Sequence, residues 1–366
     1  MKKIPVGILG ATGMVGQNYI ALLSGHPWFE VNYAAASPRS AGKRYGEVMA
    51  GRWLLPKASP SSVADLVVEN ANDVSRAAAA ASRGELAFVF SALEMGKEET
   101  AALEESYAAA GIPVVSNASA NRWADDVPML IAEVNPGHTD IIPFQQESRG
   151  WKKGFIVVKP NCSIQSYMTP VWALLQAGYE VKRMVVTTMQ AVSGAGYPGV
   201  PSLDVIDNVV PYIGGEEEKS ELEPLKILGS IEGGKIKKAA APLISAHCNR
   251  VPVTNGHMAA VSVEFGAKKP SVEQVKQIWA NFHALPQELK LPLAPEQPII
   301  VRNEDNRPQP SKDRDACKGM AVSVGRIRPC PVFDLRFAGL SHNTVRGAAG
   351  GGVLNAELLK AKGYFT

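Results

Sequence analysis

Val6-Gly7-Ile8-Leu9-Gly10-Ala11-Thr12-Gly13-Met14-Val15-Gly16 decides the fold. An apolar run of strand length passes into spaced glycines. An amphipathic stretch carrying Val15, Tyr19, Leu22 and Leu23 follows, stopped by Gly25 and Pro27. Strand, glycine turn and helix in that order is the context in which glycines cradle a dinucleotide. Gly10 permits the tight turn, Gly13 lets backbone N–H groups approach a pyrophosphate, and Gly16 lets helix and strand pack closely. Thr12, Met14 and Val15 complete the expected cofactor turn. The spacing is GxxGxxG rather than GxGxxG, so by itself it also fits a bare glycine turn.

The next strand, read over 29–36, sharpens the assignment. At its end an NAD-binding unit places an acid against the ribose 2′-hydroxyl. Here stands Ser37-Pro38-Arg39-Ser40-Ala41-Gly42-Lys43, with no carboxylate. Hydroxyls and a guanidinium suit a 2′-phosphate, so Ser37, Arg39 and Ser40 predict NADP(H); exposed loop polarity is the plain alternative. Strands are expected at 86–90 and 112–115, with a helix over 98–110 between them. Alternating β and α predicts a parallel, doubly wound sheet, an α/β fold with its ligand crevice at the strand ends. Those ends carry Ser91-Ala92-Leu93 and the Ser116 to Arg122 loop, where Arg122 reads as an anion clamp or as ordinary surface arginine.

Gly154 to Val158 reads as another buried strand, leading into Lys159-Pro160-Asn161-Cys162-Ser163. A helix is expected from Ser163 to Gln176. Cys162 then sits at a helix N-terminus, where the macrodipole and unpaired N–H groups favour a thiolate and an oxyanion. A small core residue is the ordinary alternative for a free cysteine.

Downstream, a strand over 184–190 ends at Gln190, placed to orient a carbonyl, before the Ser193-Gly194 loop. Glu216 and Lys219 share a helix face three residues apart, an acid and a base together. Pro224 predicts that this helix is short or that a second begins there. Arg250 suits a carboxylate and His257 acid–base work. A continuous strand would put these two on opposite faces, so they converge only if the Asn255-Gly256 turn intervenes. Residues 297–314, rich in Pro, Asn and charge, read as a surface excursion. Asn343, Thr344 and Gly347 open a glycine-rich entry to the last helix.

The chain has 366 residues, 46% of them hydrophobic and 20% charged, with a formal net charge of +3. At roughly 100–200 residues per domain, two domains are expected. The charge balance predicts no nucleic-acid or membrane partner. Four cysteines make no disulfide framework, and no compact ligand spacing predicts a metal. A reducing compartment, the cytoplasm, is expected. The start of the chain shows a faint likeness to a signal peptide, but glycines at 7, 10, 13 and 16 interrupt it.

Eight blocks in order carry a family likeness: GATGMVG from 10, SPRSAGKRYGEV from 37, SNASANR ending at Arg122 and PNCS around Cys162. They continue with QAVSGAGYPG from 190, GGEEEK ending at Lys219, RVPVTNGH from Arg250 and SHNTVRGAAGGG from 341. On these the chain resembles the aspartate-semialdehyde dehydrogenase family, in its archaeal and fungal branch. The resemblance implies an NADP-binding Rossmann domain (1–160 with a C-terminal helix, 343–366). A mixed α/β catalytic and dimerisation domain of the glyceraldehyde-3-phosphate dehydrogenase type would occupy 161–342. It also implies reductive dephosphorylation of β-aspartyl phosphate, with a small-molecule substrate, inorganic phosphate and a homodimer or homotetramer.

By the resemblance Cys162 is the nucleophile, His257 the acid–base residue, Gln190 the residue orienting the acyl intermediate and Asn161 the amide beside the nucleophile. Arg250 would bind the substrate carboxylate, Glu216 its amino group, and Arg122 and Lys219 its phosphate. Gly10, Thr12, Gly13, Met14, Val15, Ser37, Arg39, Ser40, Ser91, Ala92, Leu93, Ser193, Gly194, Asn343, Thr344 and Gly347 would hold the cofactor. Pro170 and Pro224 depart from the pattern of an uninterrupted helix. A malonyl-CoA reductase and a non-catalytic NADP-binding sensor are the alternatives, the first weakened by the EEEK and RVPV blocks, the second by the intact Cys162, Gln190 and His257.

Overall fold

The computed structural model describes residues 2–365; Met1 and Thr366, the outermost residues of the expected N-terminal unit, lie outside them. Six strands form the first sheet: β1 (Ile4–Leu9), β2 (Phe29–Ala36), β3 (Val68–Asn70), β4 (Phe88–Ser91), β5 (Val114–Ser116) and β6 (Ile156–Val158). All their pairings are parallel, in the order β3-β2-β1-β4-β5-β6. This is the doubly wound order, reversing between β1 and β4. The expected strands after β2 begin two residues later, and β4 and β5 run one residue further, than their apolar runs suggest.

Alternate residues divide the layers. Val6, Ile8, Phe88 and Phe90 face a core shared with Tyr19 and Ile20 of the helix Met14–Leu23. Val353, Ala356 and Leu359 of the final helix, Gly350–Ala361, close that same core. The C-terminal helix therefore packs on the N-terminal sheet. A Cβ on Gly352 would lie 2.1 Å from the Tyr19 hydroxyl oxygen, so the two helices approach at glycine distance.

A second, mixed sheet contains β7 (Val181–Gln190), β10 (Leu243–Arg250), β11 (His257–Phe265), β12 (Ile299–Val301), β13 (Val322–Pro329) and β14 (Leu335–Ser341). Its order is β10-β7-β11-β14-β13-β12. A small hairpin, β8 (Ser230–Glu232) with β9 (Lys235–Lys237), stands apart. One sheet face is covered by the helices Met168–Gln176 and Val272–Ala280, with Trp279 edge-on to Phe337 at 4.9 Å. The other face leaves Val185 and Leu243 exposed. The stretch 297–314 is more than an excursion. It contributes edge strand β12, and Asp313 is buried between Arg302 and Arg307.

The acid-rich helix runs unbroken from Glu216 to Ile227 with Pro224 inside it, correcting the expectation of a short helix or a second start. Proline removes the N–H that would reach the Ser220 carbonyl. The buried Tyr167 hydroxyl donates to that carbonyl at 3.2 Å instead. Tyr167→Phe should therefore lose about 1–2 kcal/mol, the price of an unpaired buried acceptor. In a Pro224→Ala background the restored N–H should remove most of that loss. A double-mutant cycle by denaturant unfolding measures this, and strict additivity would sink the account.

Candidate active site

The two sheets meet around a cleft of about 430 Å³. Cys162 follows β6 and lines it, but the expected continuous helix 163–176 is broken. A short 3₁₀ turn, Ser163–Ser166, comes first, and the α-helix starts at Met168. Asn161 shapes the turn, its Oδ1 accepting from the backbone N–H (2.8 Å) and hydroxyl (2.7 Å) of Ser163. Pro170 falls in the first turn of the following helix, where an N–H has no intrahelical partner to lose.

Without a long helix behind it, the thiol has a weaker dipole than expected. Burial pushes its pKa up, Glu216 adds to that, and Lys159, Arg122 and Arg250 pull the other way. The resting thiol is thus shifted upward, opposite to the sequence expectation.

Arg250 and His257 do converge. β10 runs parallel to β7 on one side, with Arg250 opposite Gln190, and β11 runs antiparallel on the other. The 251–256 loop carries the chain across the end of β7, with Gly256 at φ +102°. A Cβ on Gly194 would lie 2.9 Å from Arg250 Nη1 and 3.0 Å from His257 Nε2, so both side chains pack against this loop. His257 Nε2 lies 3.3 Å from Cys162 Sγ. The Ala191 N–H donates to His257 Nδ1 at 3.0 Å. Burial first, then Arg250, lowers His257 to about 3, so the ring is neutral. A neutral imidazole accepting at Nδ1 carries its proton on Nε2 and offers it to the sulfur.

Glu216 gathers the polar groups on its side of the cleft. Its carboxylate accepts from Asn161 Nδ2 (2.8 and 2.9 Å), Gln190 Nε2 (3.1 Å) and Lys219 Nζ (2.8 Å). Burial opposes its ionisation, yet Lys219 with the two amides holds its pKa below the ordinary value. Arg250 Nη1 donates to the Ala191 carbonyl. Arg122 lines the cleft but donates from Nη1 to Glu223 at 2.9 Å. Gln190 and His257 lie just behind the lining, both buried.

Lys159, Glu223 and Asn117 are functional candidates that sequence reasoning passed over. Lys159 stood inside the quoted motif, but nothing in its neighbours signalled that its side chain is 2% exposed. Glu223 looked like one acid in a charged helix, yet it is fully buried. Asn117 lines the cleft with a buried Oδ1 that has no hydrogen-bond partner among the described residues.

Of the expected cofactor residues, Met14, Val15, Ala92, Leu93, Ser193, Gly194, Asn343, Thr344 and Gly347 line the cleft. Gly10, Thr12, Gly13 and Ser91 stand behind or beside it, and Ser37, Arg39 and Ser40 lie off it, in the turn after β2. The residues fit a dinucleotide. Gly10 has φ +79°, and a Cβ there would meet the Ala92 carbonyl oxygen at 2.3 Å. A Cβ on Gly13 would meet only the Gly10 oxygen, at 3.5 Å, so that side of the turn is open. Arg39 is exposed and in no ion pair among the described residues, as a 2′-phosphate requires. Among the described residues no cluster of His, Cys, Asp or Glu could hold a metal.

Comparison with known proteins agrees with this fold. Residues 5–142 match the family described as semialdehyde dehydrogenase, NAD binding domain, and residues 172–346 match its dimerisation domain. Aspartate-semialdehyde dehydrogenase of Methanothermobacter thermautotrophicus is 47% identical over 360 residues, covering 97% of this chain and 99% of the relative. That of Aspergillus fumigatus is 46% identical over 369 residues, covering 99% and 98%. The crystal structure of the Candida albicans enzyme with NADP superposes with a TM-score of 0.88 at 39% identity, covering all of both chains. With its doubly wound sheet, its mixed second sheet and Cys162 between them, the chain belongs to the aspartate-semialdehyde dehydrogenase family.

Proposed function

We propose that the protein catalyses the reversible NADPH-dependent reductive dephosphorylation of L-4-aspartyl phosphate to L-aspartate 4-semialdehyde, a step toward lysine, threonine and methionine. The observation that carries this reading is the contact of Cys162 Sγ with His257 Nε2 in a cleft that also holds Glu216, Lys219, Arg122 and Arg250. Cys162 sulfur attacks the acyl carbon, the carbon–oxygen bond to phosphate breaks, and a thioester forms on the enzyme. NADPH, when bound, supplies the hydride. His257, with its proton on Nε2, donates toward the oxygen that gains charge at the acyl carbon. Gln190 and Asn161, both tied to Glu216, fix the acyl group's surroundings. Arg250 takes the substrate carboxylate, the ionised Glu216 its ammonium, and Arg122 with Lys219 its phosphate. Ser37, Arg39 and Ser40 hold the 2′-phosphate of the cofactor.

The dimerisation-domain match supports self-association, and the exposed sheet face around Val185 and Leu243 is where a second copy would pack. Homodimer or homotetramer remain the two forms proposed, in the cytoplasm. No helix among the described residues is long and apolar enough to cross a membrane.

The deciding assay pairs phosphate-dependent NADP⁺ reduction by aspartate semialdehyde with NADPH oxidation by malonyl-CoA. Activity in the first alone is expected; activity in the second alone, or in neither while NADPH binds, overturns the reading. Cys162→Ala should abolish turnover and leave NADPH affinity within about twofold; turnover within about tenfold of the unmodified enzyme would remove the nucleophile assignment. NADPH should bind much better than NADH, and Arg39→Ala should narrow the gap by about tenfold; an unchanged ratio argues against a 2′-phosphate contact. Because His257 stays neutral down to about pH 3, its ionisation should place no acid limb near 6.5 in the kcat/KM profile. A limb there that vanishes in His257→Gln contradicts the lowering of the His257 pKa.

A further inference from the structure

The place of His257 beside Cys162 is fixed from two directions. The loop after β7 holds its ring, the Ala191 N–H donating to Nδ1 at 3.0 Å. Its backbone opens β11, where His257 pairs with Ser341 of β14. The antiparallel register would next set Gly256 against His342, but both strands stop at the His257–Ser341 pair. The Gly256 N–H donates instead to a side chain, Asn343 Oδ1, at 2.8 Å.

The other end of the same amide reaches the loop that holds the ring. Asn343 Nδ2 donates to Ser193 Oγ at 2.8 Å, two residues beyond Ala191. A backbone N–H can only donate, so the atom facing Gly256 is the oxygen and the orientation of the amide is settled. Asn343 therefore joins the residue before His257 to the loop that fixes the His257 imidazole. It lines the cleft yet is only 2% exposed. Main-chain bonds run beside this bridge, from the Val192 N–H to the Val253 carbonyl (2.8 Å) and from the Ser193 N–H to the Thr254 carbonyl (3.2 Å). They end at Thr254, and Asn343 carries the connection on to Gly256.

The turn itself has no slack. A Cβ on Gly256 would lie 3.2 Å from Pro310 Cβ and 3.3 Å from Arg314 Cβ, and Arg314 Nη1 donates to the Asn255 carbonyl at 3.3 Å. The stretch that carries Asn343 also abuts Cys162, because a Cβ on Gly347 would lie 2.8 Å from Cys162 Cβ. One segment thus touches both sides of the pair whose Sγ and Nε2 stand 3.3 Å apart. A small displacement of Gly256 changes that separation, and geometry of this kind sets how well two groups work together.

We propose that Asn343 is a positioning residue for His257. Its side-chain amide, bonded to Gly256 and to Ser193, holds the imidazole against Cys162. The role operates whether or not a cofactor is bound, and so differs from the cofactor contact expected of Asn343 from sequence. It deepens the proposed function, because it rests on His257 acting beside Cys162.

The test is the rate of Cys162 alkylation by iodoacetamide at pH 7.5, without cofactor or substrate. The modified cysteine is identified by peptide mass mapping, because Cys317 is exposed. With no cofactor present, a lost cofactor contact cannot account for a change. Asn343→Ala should slow alkylation about fivefold, since a histidine held beside the sulfur favours its reactive thiolate form. In a His257→Gln background the same substitution should change the rate by less than about twofold, because the effect passes through the ring. Ser193→Ala removes one of the two bonds and should slow alkylation about threefold; it covers the case in which Asn343→Ala does not fold. An equal fall in both backgrounds marks a merely structural role and overturns the proposal, as does an unchanged or faster rate in a folded variant. The expected coupling in a protein without semialdehyde turnover would count against the proposed function alone.

Discussion

A single buried carboxylate sets the geometry on which the cleft depends. Glu223 has no exposure to water and accepts from Arg122 Nη1 at 2.9 Å and from the Asn161 N–H at 2.6 Å. Those donors come from different strand ends of the first sheet, whereas Glu223 belongs to a helix packed on the second. A charge without water is tolerated only when its donors are in place, and removing one partner of such a pair costs about 3–5 kcal/mol. The helix is therefore held in register against both Arg122 and the peptide before Cys162. Lys226, one residue short of its end, adds two bonds of 2.7 Å to the carbonyls of Arg122 and Ala124. Glu216 and Lys219, about two turns and one turn before Glu223 on the same helix, inherit their positions from this anchorage.

The cleft is correspondingly tight. A side chain on Gly347 would approach Cys162 Cβ to 2.8 Å, and one on Gly194 would strike Arg250 and His257. These glycines leave room for Cys162, Arg250 and His257 themselves as well as for any ligand. Burial then shapes the electrostatics, raising Cys162, lowering His257 and Lys159, and leaving Glu216 ionised only because three donors surround it. The site thus derives its chemistry more from desolvation and paired charge than from a helix macrodipole.

Much of the architecture was legible because it rests on local patterns. The apolar run before Gly10 and the alternation of strands and helices announce a parallel sheet, and the glycines at 10 and 16 meet the close contacts that require them. The Asn255-Gly256 turn was the condition for Arg250 and His257 to converge, and the chain does turn there. What sequence did not reveal are effects of distant neighbours. The direction of the Cys162 shift depends on the depth of the cleft and on where the 3₁₀ turn ends. The unbroken helix through Pro224 depends on Tyr167, more than fifty positions away. Lys159 and Glu223 look like ordinary surface charges until the fold buries them.

The final helix closes the core that the first strands open. Phe88 stacks on Phe365 at 4.0 Å between centroids, and Tyr19, Phe90 and Val353 share that layer. During translation the first sheet's apolar face emerges long before Gly350–Ala361 is made, an interval on the order of tens of seconds at ribosomal speeds. Over that interval Phe88 and its neighbours lack the cover that Phe365 and Val353 give them, so that layer of the first sheet stays incomplete. Its native packing is completed after the intervening segment that carries the second sheet has been synthesised.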